Sequence, residues 1–410
     1  MAEEPPTSKD DALTAGSRAG GSTRTLNILM VSARYAPFVG GTEIHTGRVS
    51  EELTARGHRV TVLTTDLDGS LPVREQVGKI NVIRLPAYPS GTDLHIAPKL
   101  RKMINSQAWD LVHVQGYHTA VAPMALAAAQ RQGIPNVLTF HSGGHSSRVR
   151  NLLRPVQVRL LQKYLLRADR LFGVSEFEAS LFGGWLGLNR NRIKVIPNGV
   201  SPSEAESPAA DSGLKVDDGA YTILSVGRLV RYKGHHRVIQ AMPHLLRLEP
   251  NTKLLILGNG PYEGNLRRLA KKLRVDHAVG FDYIPSDESH RLRAILRDAS
   301  LAVLLSDYES HGMAAHEALT VGLPLAVMDK SALGELVTSG LAQAIPPKAS
   351  NREVAEIVVR CLHRPIETSN GPLARSHSWS TITDRLEEQY FQVVDGADGS
   401  PGPSSQHHST

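Results

Sequence analysis

Ser306-Asp-Tyr-Glu-Ser-His-Gly-Met-Ala-Ala-His-Glu-Ala-Leu319 follows directly on the apolar run Leu301-Ala-Val-Leu-Leu305. The run reads as a buried parallel strand, and the residues after Gly312 read as a helix. Two acids, Glu309 and Glu317, stand eight residues apart on either side of that glycine. A strand, a polar loop and a helix N-terminus make a floor for an anionic ligand, because the first N–H groups of the helix point outward at the positive end of its dipole. In that arrangement Glu317 faces the ligand about one turn into the helix, and Glu309 projects from the loop. Taken as local structure alone, both acids would be ordinary helix-start and solvent residues. The rest of the chain decides between the two.

Working back from this stretch, Tyr221-Thr-Ile-Leu-Ser-Val226 is a further strand, and the loop Gly227–Gly234 after it carries Arg228, Arg231 and Lys233. An arginine binds phosphate bidentately and a lysine supplies a compact charge, so this loop suits a pyrophosphate. A solvated basic loop is the plainer alternative. Strands follow at Lys253–Leu257 and Ala278–Phe281, a helix at 287–298, and a strand at Leu325–Met328. A helix over 351–363, a polar link at 365–375 and a terminal helix from the Trp379 region to about Val394 complete this half.

The first half has the same rhythm. Leu26–Val31 is a short apolar strand, and its loop ends in Pro37-Phe-Val-Gly-Gly41. Thr42 is placed to cap the next helix, with His45, Val49 and Leu53 on one side and Gly57 closing it. Gly40 and Gly41 let a ligand approach the backbone, or simply make a tight turn; the pattern is not the dinucleotide GxGxxG. Strands are expected at Arg59–Thr64, Val82–Leu85, Leu111–Val114, Asn136–Phe140, Leu171–Val174 and Ile193–Ile196, with helices near 95–107, 119–132 and 176–186, the last capped by Ser175. Two strand ends bear histidines, Gln115-Gly-Tyr-His118 and His141-Ser-Gly-Gly144. His141 is the stronger candidate, as a donor to a sugar oxygen or phosphate. Asp66 and Asp68 have metal-pair spacing but better suit the turn at Gly69. Arg148 to Arg167 holds six basic residues, no acid and interleaved leucines that do not form one clean stripe, and Pro155 is expected to interrupt its start. It reads as an ordinary solvated helix or as one lying on an anionic membrane or above an acidic acceptor.

A length of 410 residues with 41% apolar composition allows two domains with full cores. A formal charge of +6 is too mild to select nucleic acid, a membrane or small anions. The single cysteine, Cys361, excludes an intrachain disulfide and a thiolate metal cage, and suits a reducing cytoplasm. Residues 1–26 and 395–410 read as a disordered leader and tail without a signal-peptide core, and no apolar run is long enough to span a bilayer. Basic residues lack the interleaved aromatics of a nucleic-acid surface.

With these residues gathered, the chain resembles the GT4 family of retaining glycosyltransferases over about residues 27–394. The resemblance rests on the E-x7-E pair inside SDYESHGMAAHEALTVGLP, on SVGRLVRYKG at 225–234, and on FVGGTE at 38–43, TFH at 139–141, IPNGV at 196–200 and the Trp379 region. It implies an α/β GT-B fold in which two Rossmann-like domains face across a cleft. These are an acceptor-side domain over 27–200, a linker over 201–220, a nucleotide-sugar domain over 221–375, and a helix over 376–394 crossing back to the first domain.

The resemblance further implies a hexosyl transfer from a nucleoside-diphosphate sugar, UDP before GDP, to an acceptor hydroxyl, with no metal or other cofactor. Arg228 and Lys233 would hold the diphosphate and Glu317 the ribose hydroxyls. Glu309 would contact the donor sugar, helped by backbone N–H groups of His311, Gly312 and Met313. Gly40 and Gly41 would approach the phosphates from the opposite domain, and His141 would touch the sugar. Tyr88, Tyr117, His118 and Arg148 are acceptor-side candidates from their loop positions. His311 stands where the family usually has Phe, Ser331-Ala332 replaces a common Gly-Gly, and Asp282 and Ser201 also depart from the pattern. Two other readings compete: a non-catalytic nucleotide-sugar sensor of the same fold, and a phosphorylase-like enzyme, for which no pyridoxal-phosphate lysine signal is present. The expected location is the cytoplasm, with 148–167 either an ordinary solvated helix or a peripheral contact at the inner face of the membrane; the sequence leaves both open.

Overall fold

The computed structural model describes residues 24–38, 40–89, 95–141, 148–201, 220–285, 288–366 and 376–399. Most of the leader, the tail beyond 399, nearly all of the expected linker and link 365–375, and Gly143 and Gly144 lie outside the described residues.

Eight strands form the first sheet: β1 (Asn27–Ser32), β2 (Arg59–Asp66), β3 (Arg74–Val77), β4 (Ile80–Pro86), β5 (Leu111–Gln115), β6 (Asn136–Thr139), β7 (Arg170–Gly173) and β8 (Ile193–Val195). Their order is β3-β4-β2-β1-β5-β6-β7-β8, parallel except for β3. Six form the second: β9 (Thr222–Val226), β10 (Lys253–Leu257), β11 (Val279–Asp282), β12 (Leu301–Leu304), β13 (Leu325–Met328) and β14 (Gln343–Ile345), ordered β11-β10-β9-β12-β13-β14 and parallel throughout. The inner strands are apolar on both faces because helices cover both sides of a parallel sheet. In the first domain these are α1 (Gly41–Ala55), α2 (Leu100–Ile104), α3 (Val121–Arg131), α4 (Arg148–Leu165) and α5 (Glu176–Leu186). In the second they are α6 (His235–Leu248), α7 (Glu263–Lys272), α8 (Ser289–Asp298), α9 (Met313–Thr320), α10 (Ala332–Thr338) and α11 (Asn351–His363). The expected α/β architecture of two Rossmann-like domains is therefore present.

The last helix, α12 (Trp379–Gly399), returns to the first domain. Trp379, Ile382, Leu386 and Tyr390 enter one apolar cluster with Ile28, Val49, Leu53 and Val60. The Tyr390 hydroxyl meets His113 Nδ1 at 2.5 Å beneath the sheet, and His58 Nε2 meets Glu387 at 2.8 Å. A Cβ on Gly199 would lie 2.4 Å from the Trp379 ring, so only glycine admits the indole there.

Local expectations fail in identifiable ways. Thr42 lies inside α1; Gly40 is the N-cap, and no side chain caps the helix. The edge strand β3 is short and wholly exposed, so it carries no apolar signature. The short elements α10 and β14 leave no periodicity to read, and α2 occupies only part of the stretch near 95–107. Pro155 does not interrupt α4. Val158 and Leu165, fully buried in the core, hold the helix through the proline, since tertiary packing outweighs the lost backbone bond. Asp66 accepts from the backbone of Gly69 and Leu71, and Asp68 from Ser70, so the pair forms a turn. Among the described residues no group of acids, histidines or cysteines is arranged to hold a metal, and no helix is long and apolar enough to cross a membrane.

Candidate functional site

In each sheet the order in which successive strands are added reverses beside a central strand: β1 lies between β2 and β5, and β9 between β10 and β12. Loops leaving the carboxyl ends at such a switch point diverge and open a crevice. The loops after β1, β5 and β6 and those after β9 and β12 supply nearly every residue singled out in the sequence.

Two helix N-termini meet there. Gly40 precedes α1 in extended conformation, Gly312 precedes α9 with φ of 82°, and neither helix has a side-chain cap. They approach closely: a Cβ on Gly41 would sit 3.9 Å from Met313 Sδ, across the boundary between the domains. An uncapped helix end presents N–H donors and a positive partial charge. The Glu43 carboxylate folds back over the α1 end, where a Cβ on Gly40 would come within 2.4 Å of its Oε2. Burial raises its pKa, while Arg34 and, from the second domain, Arg228 pull the other way.

Lys233 ends the loop after β9. Its Nζ donates to Glu309 Oε1 at 2.6 Å, and both side chains are largely enclosed. Burial is the largest single influence and depresses the lysine, but the Glu309 charge, the neighbouring Tyr232 and the hydrogen bond to Glu309 together outweigh it, and the ammonium pKa is raised. Ser306 Oγ also donates to Glu309 Oε1 at 2.8 Å, and the Glu309 N–H donates to Ser331 Oγ at 3.0 Å. Ser331 thus anchors the Glu309 backbone. Gly234 brings the loop against β12: its φ is 78°, and a Cβ would overlap the Leu305 carbonyl oxygen at 1.9 Å. Arg228 is exposed on the same loop.

Glu317 lies in α9, over a turn beyond Gly312. Among the described residues its carboxylate takes no hydrogen bond, and burial raises its pKa to about 7. His311 is buried and stacks on His316 at 4.0 Å, with His377 of the crossover segment 6.5 Å from the former and 5.6 Å from the latter. Burial keeps both neutral, His316 with a pKa near 4 and His311 well below its usual value. His311 Nδ1 has no partner among the described residues.

His141 follows β6 and is likewise buried and neutral. Its Nε2 donates to Gln115 Oε1 at 2.8 Å, and its ring edge meets His45 of α1 at 4.8 Å. With the Nε2 proton committed, the ring atom left for a ligand is Nδ1, an acceptor. That corrects the expected donor role. His118 donates from Nε2 to the His141 carbonyl. Tyr117 is a core residue and not an acceptor contact: it is fully buried with its ring edge-on to Phe182 and Phe140. Tyr88 is exposed and bridges to Ile96. Arg148 opens α4, and its side chain lies outside the described residues.

The domains also touch at the rim. Glu335 of α10 accepts the Phe177 N–H of α5 at 2.6 Å, Phe177 meets Tyr308 at 5.5 Å, and Arg154 of α4 lies over the Tyr308 ring at 5.3 Å. Sequence reasoning missed Glu43, Gln115, Tyr308 and Glu335 as cleft residues. Glu43 alone had a local signal, a carboxylate at the third helical position after Gly40-Gly41. The others gain their place from chain segments far apart.

The site therefore combines two helix ends without a capping N-cap side chain, that of α1 covered by the Glu43 carboxylate, with a guanidinium, an ammonium, acids and neutral imidazoles, at an interdomain crevice. Such a set binds a polyanion joined to a hydroxyl-rich group. Comparison with known proteins gives the family. Residues 39–204 match Glycosyltransferase Family 4, and residues 207–371 match Glycosyl transferases group 1. The chain is 33% identical to a glycogen synthase of Mycobacterium tuberculosis, covering 90% of this chain and 96% of that one. It is 27% identical to a D-inositol 3-phosphate glycosyltransferase of Nocardiopsis dassonvillei, covering 86% and 89%. Among solved structures it superposes on sucrose-phosphate synthase from Thermosynechococcus elongatus with a TM-score of 0.72 at 21% identity, covering 91% of this chain and all of that one. Anabaena HepE in complex with UDP-glucose gives 0.70 at 18% identity, covering 90% of this chain and all of that one.

Proposed function

The chain belongs to glycosyltransferase family 4, and from that membership we propose that it transfers a hexosyl-type sugar from a UDP-sugar to an acceptor hydroxyl with retention of configuration. The observation that carries this reading is the meeting of the α1 and α9 N-termini beside Arg228 and the Lys233–Glu309 pair. HepE, whose structures hold UDP and UDP-glucose, adds support for the uridine donor.

In this reading Arg228 and Lys233 grip the diphosphate and take up the negative charge that grows on it as the glycosidic bond breaks. Gly40 and Gly41 let a phosphate reach the α1 N–H groups, and the backbone of His311, Gly312 and Met313 serves the opposite side. Glu317 accepts from the ribose hydroxyls. Glu309, held by Ser306 and Ser331, orients the donor sugar through its hydroxyls while Lys233 turns to phosphate. His141 offers Nδ1 to a sugar hydroxyl. The acceptor attacks on the face the leaving group vacates, and a phosphate oxygen of the donor removes its proton, so no second carboxylate of glycosidase type is needed. The rim contacts of Tyr308 and Glu335 favour closure and exclude water that would hydrolyse the donor. His118, Tyr88 and Arg148 stand on the acceptor side.

A donor-hydrolysis screen over UDP- and GDP-sugars, with the product anomer read by NMR, tests this. Turnover of a UDP-sugar with the anomer retained is expected. An inverted product, or preference for GDP-sugars, overturns the corresponding part.

A further inference from the structure

The α4 helix is apolar on two sides. Val158, Leu161 and Leu165 pack into the first domain's core. On the other side Leu152, Val156 and Leu160 follow at i, i+4 and i+8 and stand 78%, 54% and 74% exposed, with Leu153 54% exposed beside them. Helical residues at that spacing share one face. The stripe borders a groove of about 380 Å³ lined by Pro155, Val156, Arg159, Leu160, Gly184 and Trp185, between α4 and α5. Arg159, Lys163 and Arg167 are exposed along it, and the whole of 148–167 contains no acid.

We propose that this face docks on the surface of an anionic lipid bilayer. A protruding aliphatic row on a convex helix enters the headgroup boundary, and a basic rim meets anionic headgroups; both features are required for such a helix and both are here. The absence of acids gives the charge complementarity, since a zwitterionic or cationic surface would leave the rim unmatched. The face also adjoins the cleft. Gln157 Nε2 donates to the His118 carbonyl at 3.3 Å, and Arg154 rests on Tyr308. Docking therefore brings the acceptor side of the cleft to the membrane interface, whichever donor it uses.

The test uses the full chain and sedimentation with vesicles of phosphatidylcholine alone or mixed with phosphatidylglycerol. The protein is expected to sediment with the mixed vesicles, and less so in high salt. Leu152→Ser with Leu160→Ser should reduce partition more than tenfold. Arg159→Glu with Lys163→Glu should reduce it about thirtyfold or more, at roughly fivefold for each basic residue removed. All four side chains are exposed, so thermal melting and donor hydrolysis in vesicle-free buffer should stay unchanged. Equal partition to neutral vesicles, or undiminished partition of the serine variant, overturns the proposal. So does sedimentation equilibrium showing a dimer that the serine substitutions dissolve, with no vesicle binding by the wild type.

Discussion

Replacing Glu317 with glutamine should stabilise the protein at high pH while weakening its hold on nucleotide. Burial moves this carboxyl from 4.5 to about 7, and no hydrogen bond among the described residues compensates. The folded state therefore keeps the proton where the unfolded chain has released it. The resulting cost is absent below about pH 4.5, grows as pH rises toward 7 and is complete above that. At roughly 1.4 kcal/mol per pKa unit the difference is about 3 kcal/mol, and partial exposure to solvent reduces it to about 1–2 kcal/mol. Urea unfolding of wild type and Glu317→Gln at pH 4.5 and pH 8 measures it. The variant should gain about 1–2 kcal/mol at pH 8 and almost nothing at pH 4.5. Calorimetry with UDP at pH 8 should show weaker binding by the variant, because a neutral amide accepts from ribose hydroxyls less strongly than a carboxylate. An equal gain at both pH values would mean that desolvation of the carboxylate is not the cause. Unchanged UDP affinity would remove Glu317 from the ribose.

Three further outcomes are expected. Lys233→Ala should lower kcat/KM about a hundredfold, near 3 kcal/mol of transition-state stabilisation, in steady-state assays with the UDP-sugar; wild-type kinetics would exclude the phosphate role. Gly234→Ala should cost about 3 kcal/mol or more in urea unfolding, since its left-handed backbone and the Leu305 carbonyl both oppose a Cβ. Glu335→Ala should cost only about 1 kcal/mol, because Ser175 still caps α5, yet small-angle scattering should report a more open molecule; an unaltered scattering curve would show that this contact does not hold the domains together.

Much of the architecture was legible because parallel α/β structure writes itself locally. Apolar runs such as Leu301–Leu305 must be buried on both faces, and polar loops such as Gly227–Gly234 then fall at strand ends, where sheets bind ligands. The helix start at Gly312 was visible for the same reason. Elements without an apolar run, such as β3, or too short to show a period, such as α10, were invisible.

The amino-acid order by itself determined two Rossmann-like sheets, the family, and the loops that carry Arg228, Lys233, Glu309, Glu317 and His141. Only the tertiary structure decided what those side chains meet. Lys233 and Glu309 are 76 residues apart and pair at 2.6 Å, and Gly41 faces Met313 across the domain boundary. Tyr117 left the acceptor list because its loop turns the ring inward onto Phe182, and His141 keeps only Nδ1, an acceptor, for a ligand because Gln115 of the neighbouring strand accepts its Nε2–H hydrogen bond. Hydrogen bonding and burial depend on three-dimensional neighbours, and a linear pattern carries only the periodicity of the faces it will bury.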